Sequence, residues 1–249
     1  MQAPHPPLNK YYRALEDRPE WVQSIFDRTA ADYERVESTV ALGSGSWYRR
    51  RVLKASGLRR GMRVVDIGVG TGLVAREAAA IVGDPALVTG VDPSPGMMAC
   101  AAVPEGVTLV IGTAEHIPLP DSTADFLSMG YALRHINDLT AAYAEFYRVL
   151  QPGGLLCVLE ITAPKGVMSR ALLRGYMRGV VPFVARAVTR SKDTLELMRY
   201  FWDTIEACVR PDVVMRGISG AGFTEISRDV ELGIFSAYRA RKPFCVSND

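Results

Sequence analysis

Cysteine and histidine are scarce in this chain of 249 residues, which has four of the former and three of the latter. The cysteines are widely separated and show no paired pattern, so we expect reduced thiols rather than a disulfide framework. No pair among the cysteines and histidines has metal-ligand spacing, so we expect no metal. The residues are Cys100, Cys157, Cys208, Cys245, His5, His116 and His135.

Long apolar runs and a dominant charge are missing as well. No stretch of about 20 apolar residues indicates a transmembrane helix, and Met1–Pro7 has the pattern of neither a secretion signal nor a mitochondrial targeting helix. The net charge of +2 gives no reason to expect nucleic-acid binding. We therefore expect a cytoplasmic protein, with a disordered or loosely ordered tail over residues 1–20 and a single domain over 21–249.

What the chain does have is a glycine-rich turn directly after a short apolar strand. Residues 62–72 carry Asp66 near the strand end, followed by Gly68, Gly70 and Gly72. This Gly-x-Gly-x-Gly spacing differs from that of dinucleotide sites, and Asp66 would repel a pyrophosphate. A cofactor with a cationic amino group fits better, and S-adenosylmethionine (SAM) carries an ammonium and a sulfonium but no phosphate. Taken alone, the turn also fits an ordinary tight strand-to-helix connection.

Strands and helices alternate after this turn, which predicts an α/β fold with a doubly wound, mostly parallel sheet. Ligands bind such sheets at the carboxyl ends of the strands, where Gly68, Asp92, Thr113 and Gly130 would gather. A helix and two strands near the end of the chain would add an antiparallel hairpin at one sheet edge. The predicted strands are 86–91, 107–111, 124–130, 155–160, 224–230 and 234–239, and the predicted helices are 73–81, 139–150 and 213–220.

Further motifs follow one another in a recognisable order. They are Phe-Asp-Arg-Thr-Ala-Ala-Asp-Tyr at 26–33, Ser-Trp-Tyr-Arg-Arg at 46–50, Ala-Leu-Arg-His-Ile at 132–136, Tyr-Arg-Val-Leu-Gln-Pro-Gly-Gly at 147–154, Val-Leu-Glu at 158–160 and Arg-Tyr at 199–200. With these motifs, residues 21–241 resemble the ubiquinone/menaquinone biosynthesis C-methyltransferases (the UbiE type), a branch of the class I SAM-dependent methyltransferases. The resemblance implies a Rossmann-like class I fold with a helical lid over 21–60 and a helical, substrate-covering insert over 165–210.

The same resemblance implies a set of SAM contacts, with S-adenosylhomocysteine as the product. Four positions depart from the family pattern: Thr113 stands where Asp or Asn is usual, Gly130 where Ser is frequent, His135 in place of an Asn, and Val69 where a small residue or Cys is common. These departures concern the substrate more than the cofactor. The implied contacts are Thr71, Asp92, Thr113, Ala114 and Gly130.

The aromatic residues of the N-terminal segment suggest a lid over the cofactor site. The resemblance favours a helix that lays Phe26 and Tyr33 over the cofactor, although any helix packed on the sheet would carry such rings. The basic run Arg49–Arg51 fits a solvated helix face.

His135 and Arg134 are the catalytic candidates, since they follow the end of the fourth predicted strand. The imidazole could remove a proton from a phenol or enol, and the guanidinium could stabilise the resulting oxyanion. His135 fits a structural role equally well, as a cap for the next helix or a partner of a backbone carbonyl.

Residues 165–210 are where we expect substrate selectivity. Apolar residues and arginines alternate there at helical spacing, which is typical of an amphipathic, basic helix. Such a helix fits a membrane surface, an acidic substrate or a subunit partner, as well as an ordinary helix with a solvated face. The candidate substrate residues are Tyr176, Tyr200 and Trp202.

These patterns predict an enzyme that transfers the SAM methyl group to a small hydrophobic acceptor, with a carbon of a quinol or hydroxylated aromatic as the first candidate. One alternative is an O- or N-methyltransferase of a secondary metabolite or lipid headgroup. Others are an enzyme that cleaves or cyclises the aminobutyrate chain of SAM, and a non-catalytic SAM-binding subunit. The family analogy also suggests a homodimer.

Overall fold

A seven-stranded sheet forms the centre of the computed structural model, which describes residues 2–40 and 43–244. The strands are β1 (Val64–Ile67), β2 (Val88–Asp92), β3 (Thr108–Ile111), β4 (Ala124–Gly130), β5 (Leu150–Ile161), β6 (Thr224–Glu231) and β7 (Phe235–Arg241). Their order across the sheet is β3-β2-β1-β4-β5-β7-β6. β1 to β5 are parallel, and β7 is antiparallel to both of its neighbours. The predicted doubly wound sheet with a C-terminal antiparallel hairpin is confirmed.

Helices cover both faces of this sheet, which explains why β1 is apolar and buried along nearly its whole length. One face packs against α5 (Leu139–Val149) and α9 (Pro211–Gly220), with Tyr143 and Phe146 in the core. The other face packs against α2 (Gly45–Ala55) and α3 (Leu73–Val82). The short helix α4 (Pro95–Ala99) follows β2.

Two strands begin two or more residues away from the predicted start. β2 begins at Val88 rather than at residue 86, because Pro85–Leu87 forms a 3₁₀ turn capped by the Asp84 side chain. β5 already begins at Leu150, where the sequence predicted a break before residue 155. Gly153 takes a positive φ of 81° and keeps its backbone paired with Lys242, so the glycines bend the strand without ending it.

The first residues of the chain pack on the body of the protein, which differs from the expected loosely ordered tail. The carbonyl of Gln2 accepts a hydrogen bond from the N–H of Leu139 at 2.8 Å, and the carbonyl of Pro4 accepts one from Val209 at 2.7 Å. Tyr12 is buried as well. We call residues 2–17 the strap. It leads into α1 (Arg18–Val40), which with α2 occupies the segment predicted as a lid.

The predicted helical insert consists of α6 (Val167–Gly175), a π-helical turn (Tyr176–Val180), α7 (Val181–Thr189) and α8 (Lys192–Ala207). Pro182 has no N–H to donate to the preceding turn, which accounts for the local departure from α-helical pairing. The inner face of the insert packs against α1 in a third apolar cluster. Within residues 2–40 and 43–244, no helix has both the length and the apolar character needed to cross a membrane.

The cysteines that the structure describes are unpaired. Cys100 is exposed, Cys157 is buried, and Cys208 is partly buried. Cys245 lies outside the described residues.

Candidate functional site

A cavity of about 140 Å³ opens at the carboxyl ends of β1, β2 and β4. This is the edge where parallel sheets bind their ligands. The lid helix α1 and the segment after β4 close its other sides. Of the residues predicted from the sequence, the cavity is lined by Phe26, Tyr33, Gly68, Gly70, Thr71, Asp92, Gly130 and His135.

Close backbone approach shapes the floor of this cavity. Gly68 has a positive φ of 66°, and a Cβ there would lie 2.7 Å from the Ala132 Cβ. A Cβ on Gly130 would lie 2.5 Å from Val74 Cγ2. Among the residues that the structure describes, the buried Thr71 hydroxyl has no hydrogen-bond partner. The turn therefore offers backbone groups and one free hydroxyl to a ligand.

Asp92 joins two of the loops that surround the cavity. Its carboxylate accepts hydrogen bonds from the N–H groups of Gly70 and Ser94, each at 2.8 Å. Burial raises the pKa of Asp92 to about 6. The Ser94 side chain caps α4 and also donates to Asp27 of α1 at 2.5 Å, and Asp27 accepts a second bond from the Gly96 N–H at 2.8 Å. The lid helix is thereby fixed to the loop after β2.

The remaining predicted cofactor residues lie outside the walls of this cavity. Asp66 is buried within the sheet and accepts a hydrogen bond from the Ser128 hydroxyl at 2.7 Å. Thr113 forms a tight turn with His116, whose N–H donates to the Thr113 hydroxyl at 3.1 Å. The other two residues of this group are Gly72 and Ala114.

Aromatic rings of α1 line the upper side of the cavity and pack against α8. Phe26 and Tyr33 line the cavity, and the Phe26 ring lies 5.2 Å from the His135 ring, between ring centroids. Phe201 of α8 lies behind them, 5.9 Å from Phe26 and 6.3 Å from Tyr33.

Phe201 was not among the predicted substrate residues, whereas its neighbours were. Tyr200 lies behind His135 with a centroid distance of 5.4 Å, and Trp202 is fully buried. Successive residues of a helix differ in direction by about 100°, so α8 turns Phe201, and not its two neighbours, towards Phe26 and Tyr33.

Tyr176 lies away from the cavity. It is partly exposed at the start of the π-helical turn, and its hydroxyl donates to the Val40 carbonyl at 3.0 Å.

The two catalytic candidates have different surroundings. His135 ends a short 3₁₀ turn, and its Nδ1 lies 3.4 Å from the Tyr200 hydroxyl. Its Nε2 has no hydrogen-bond partner in residues 2–40 and 43–244. Burial lowers its pKa well below the ordinary range, so the ring is neutral near pH 7. The Arg134 guanidinium forms a buried ion pair with Glu160 and lies 5.0 Å from the centre of the Phe201 ring. It does not line the cavity, contrary to an oxyanion-binding position.

Arg49 is a site residue that the sequence reasoning missed. The basic run at 49–51 was interpreted as a solvated face, but Arg49 is only 5% exposed and lines the cavity. Its guanidinium donates to Glu37 at 2.6 Å, and its Nε has no partner. Arg50 and Arg51 are about half exposed. The available signal was that position 49 precedes the apolar residues 52 and 53 at helical spacing.

Residues 13–242 match the family model described as the ubiE/COQ5 methyltransferase family. The ubiquinone/menaquinone biosynthesis C-methyltransferase UbiE of Shewanella halifaxensis is 28% identical over 219 residues, which cover 85% of this chain and 86% of the relative. The demethylmenaquinone methyltransferase of Staphylococcus aureus is 30% identical over 184 residues, 72% of this chain and 76% of the relative. A SAM-dependent methyltransferase structure from Thermotoga maritima has a TM-score of 0.61 at 24% identity, covering 88% of this chain and 99% of that one, which shows the shared fold.

The buried carboxyl of Asp66 should make stability depend on pH. Burial raises its pKa to about 7, so the folded state binds this proton more tightly than the unfolded state does. Above about pH 7 the ionised carboxylate lowers the free energy of unfolding by its full amount. This loss of stability is relieved as the pH falls towards the pKa that Asp66 has in the unfolded chain, near 4. Asn at this position retains an acceptor for the Ser128 hydroxyl without the charge.

We expect wild type to gain about 1 to 3 kcal/mol over Asp66→Asn between about pH 8 and about pH 5, since one pKa unit corresponds to about 1.4 kcal/mol. Urea unfolding at the two pH values measures this difference. Parallel pH profiles for the two proteins would contradict the raised pKa.

Proposed function

The chain belongs to the ubiE/COQ5 methyltransferase family, and we propose that it methylates a ring carbon of a quinol-type acceptor held under α1 and α8. It is a SAM-dependent methyltransferase. The observation that carries the acceptor proposal is the aromatic wall of Phe26 and Tyr33, packed on Phe201, with the neutral His135 beside it. A flat, largely apolar ring with few oxygen atoms suits such a wall.

The residues around the glycine turn fit SAM, which supplies a methyl group on a sulfonium leaving group. Each Asp92 oxygen accepts one backbone N–H and keeps a lone pair for a ribose hydroxyl. The free Thr71 hydroxyl and the close approach at Gly68 and Gly130 suit a polar ligand laid along the turn. Adenine contacts at Thr113 and Ala114 stay a prediction.

Arg49 is the residue that we assign to the carboxylate of the SAM aminobutyrate chain. Its guanidinium is buried in the cavity wall, and its Nε lacks a partner. Glu37 offsets the charge but occupies only part of the planar donor set. Arginine binds carboxylates with two parallel N–H bonds, so the position suits the acid end of the cofactor.

In this proposal, the residues of the chain align the acceptor and exclude water from the site. The rings of Phe26 and Tyr33 hold a flat acceptor, and α1 is fixed over the site through Asp27. Methyl transfer to an activated carbon depends mainly on the alignment of the reacting atoms.

Mass spectrometry of the purified protein with SAM tests the acceptor class. We expect short-chain quinols to gain one CH₂ unit in step with the appearance of S-adenosylhomocysteine, and NMR of the product to place the methyl group on a ring carbon. Phenols and amines serve as comparison acceptors. Methylation of oxygen or nitrogen alone, or no methylated quinol while another acceptor is turned over, would contradict the proposal.

The Arg49 assignment predicts a ligand-specific loss in binding. Arg49→Gln should weaken S-adenosylhomocysteine binding by about tenfold or more, because a hydrogen bond to a charged group contributes about 1.5 to 3 kcal/mol. Binding of methylthioadenosine, which lacks the carboxylate, should stay unchanged. Isothermal titration calorimetry with both ligands measures the difference.

Arg51→Gln is the matched control, since Arg51 lies on the same helix and pairs with Glu231 at the surface. It should bind both ligands as wild type does. An equal loss for the two ligands in Arg49→Gln would show that Arg49 supports the fold of the site instead.

The insert carries an exposed apolar stripe that we propose rests on an anionic membrane surface. Met168, Leu172 and Phe183 are 77%, 69% and 74% exposed, and Tyr176 and Val180 continue the same face of α6 and α7. Arginines at 170, 174 and 178 follow the other side of the buried face. The apolar stripe complements the apolar region of a bilayer, where a hydrophobic acceptor would dissolve, and the arginines of the same helices favour acidic headgroups.

Vesicle co-sedimentation tests this surface. The double variant Leu172→Asp/Phe183→Asp should bind phosphatidylglycerol vesicles at least about tenfold more weakly, since each buried side chain contributes about 1.5 to 3 kcal/mol. High salt should also weaken wild-type binding. Leu232→Asp, on the equally exposed loop before β7, should bind as wild type does. A wild-type dimer in solution that the double variant abolishes, without vesicle binding, would identify the stripe as a subunit interface.

A further inference from the structure

Arg18, the first residue of α1, is buried without an acidic partner. It is 1% exposed, and within residues 2–40 and 43–244 no carboxylate forms an ion pair with it. Its Nη2 donates to the Arg134 carbonyl at 2.8 Å, while its Nε has no partner. The neighbouring Arg134 already has Glu160 as its counter-ion. A buried charge left in this state is costly, so its position calls for a reason other than stability.

The Tyr200 hydroxyl connects Arg18 to the cavity. The positive charge of the Arg18 guanidinium acts on this hydroxyl and favours the orientation in which the Tyr200 oxygen faces Arg18. The Tyr200 proton then points away from Arg18. The imidazole of His135 lies 3.4 Å away through its Nδ1, with the two rings stacked at 28°. The Tyr200 hydroxyl therefore donates to Nδ1 of His135.

We propose that Arg18 and Tyr200 are positioning residues that hold His135 as the tautomer with its proton on Nε2, which donates a hydrogen bond to an oxygen of the acceptor. The proposal rests on the proposed methyl transfer and deepens it. Nε2 is the ring nitrogen without a partner, on a side chain that lines the cavity. The opposite tautomer would make the Tyr200 oxygen the acceptor and leave the buried Tyr200 proton without an acceptor among the described residues.

Burial keeps the ring neutral, as this role requires. Arg134 and Arg18, which face His135 from the segment after β4 and from α1, add to burial and lower its pKa well below the ordinary range. His5 of the strap faces the ring as well, but burial lowers the pKa of His5 to about 4, so it is neutral near pH 7. A neutral imidazole has one donor and one acceptor nitrogen, and here Tyr200 occupies the acceptor.

This tautomer narrows the class of acceptor. With Nδ1 engaged and Nε2 protonated, His135 cannot take the proton of a phenol, contrary to the general-base hypothesis from the sequence. The acceptor that suits the site is an oxyanion, a phenolate or enolate whose proton has already passed to water, with the nucleophilic carbon beside the oxygen. The Nε2–H group stabilises that oxygen and orients the ring.

Long-range ¹H–¹⁵N NMR of the imidazole nitrogens tests the tautomer without any substrate. His135 is assigned by its loss in His135→Gln. We expect a pyridine-type shift at Nδ1 and a pyrrole-type shift at Nε2 in wild type, and a mixed population in Tyr200→Phe. A pyrrole-type Nδ1 in wild type would overturn the proposal, whether or not quinols prove to be the acceptors.

Kinetics separate positioning from structure. Tyr200→Phe keeps the ring and should lower kcat about tenfold or more with unchanged affinity for SAM, and Arg18→Lys should retain more activity than Arg18→Met. Tyr143→Phe, whose hydroxyl is buried without a partner far along α5, should behave as wild type. Equal activity of Tyr200→Phe and wild type would overturn the positioning role of Tyr200.

The pH profile offers a final distinction. Activity should rise with pH along a limb that follows the pKa of the acceptor hydroxyl. A fluorinated, more acidic acceptor should therefore shift this limb to lower pH. A limb that stays in place when the acceptor changes would assign the titration to the protein and contradict the proposal. If the protein methylates quinols while His135 carries its proton on Nδ1, the proposed function stands and only the positioning role of Arg18 and Tyr200 is rejected.

Discussion

One buried carboxylate, that of Asp92, determines how the parts of this site lie relative to one another. It accepts the N–H of Gly70 after β1 and the N–H of Ser94 after β2, and so fixes the two strand ends at a set separation. These two donors offset part of the cost of burying the charge. The Ser94 hydroxyl then reaches Asp27 on α1, so the turn, the second loop and the lid form one hydrogen-bonded unit. Removing the carboxylate would release all three.

The strands of the sheet could be predicted because short stretches of the sequence determine them. Apolar runs, glycine breaks and helical spacing located the strands that build the carboxyl edge, and Gly68, Gly70 and Asp92 line the cavity there. Side-chain direction was harder to predict. Among the basic residues 49–51 only Arg49 faces inwards, and along α8 it is Phe201 rather than Trp202 that faces the lid aromatics. Those outcomes depend on how helices pack, which a single sequence does not specify.

The surroundings of His135 could not be read from the sequence for the same reason. Arg134 is its neighbour in the chain, but the guanidinium turns towards Glu160 at the end of β5. Arg18 lies far away in the chain, yet its charge reaches the same site through Tyr200. Burial and neighbouring cations favour the uncharged ring, so a histidine in this position behaves as a fixed dipole. The basic character usually attributed to a catalytic histidine is suppressed by its environment.

The strap has a consequence for how the protein acquires its activity. Gln2 donates to Asp138, a partner 136 residues away in the chain, and the strap meets α5 and the segment before α9 only where the sheet has already brought them together. Closing a loop of that length costs chain entropy that only a formed core can offset. We therefore expect the strap, and with it the setting of Arg18 and His5, to be seated late in folding. A chain whose sheet and glycine turn have formed, but whose strap is not yet seated, would lack the final surroundings of Arg18 and His135. Catalytic activity would therefore appear only when folding is complete.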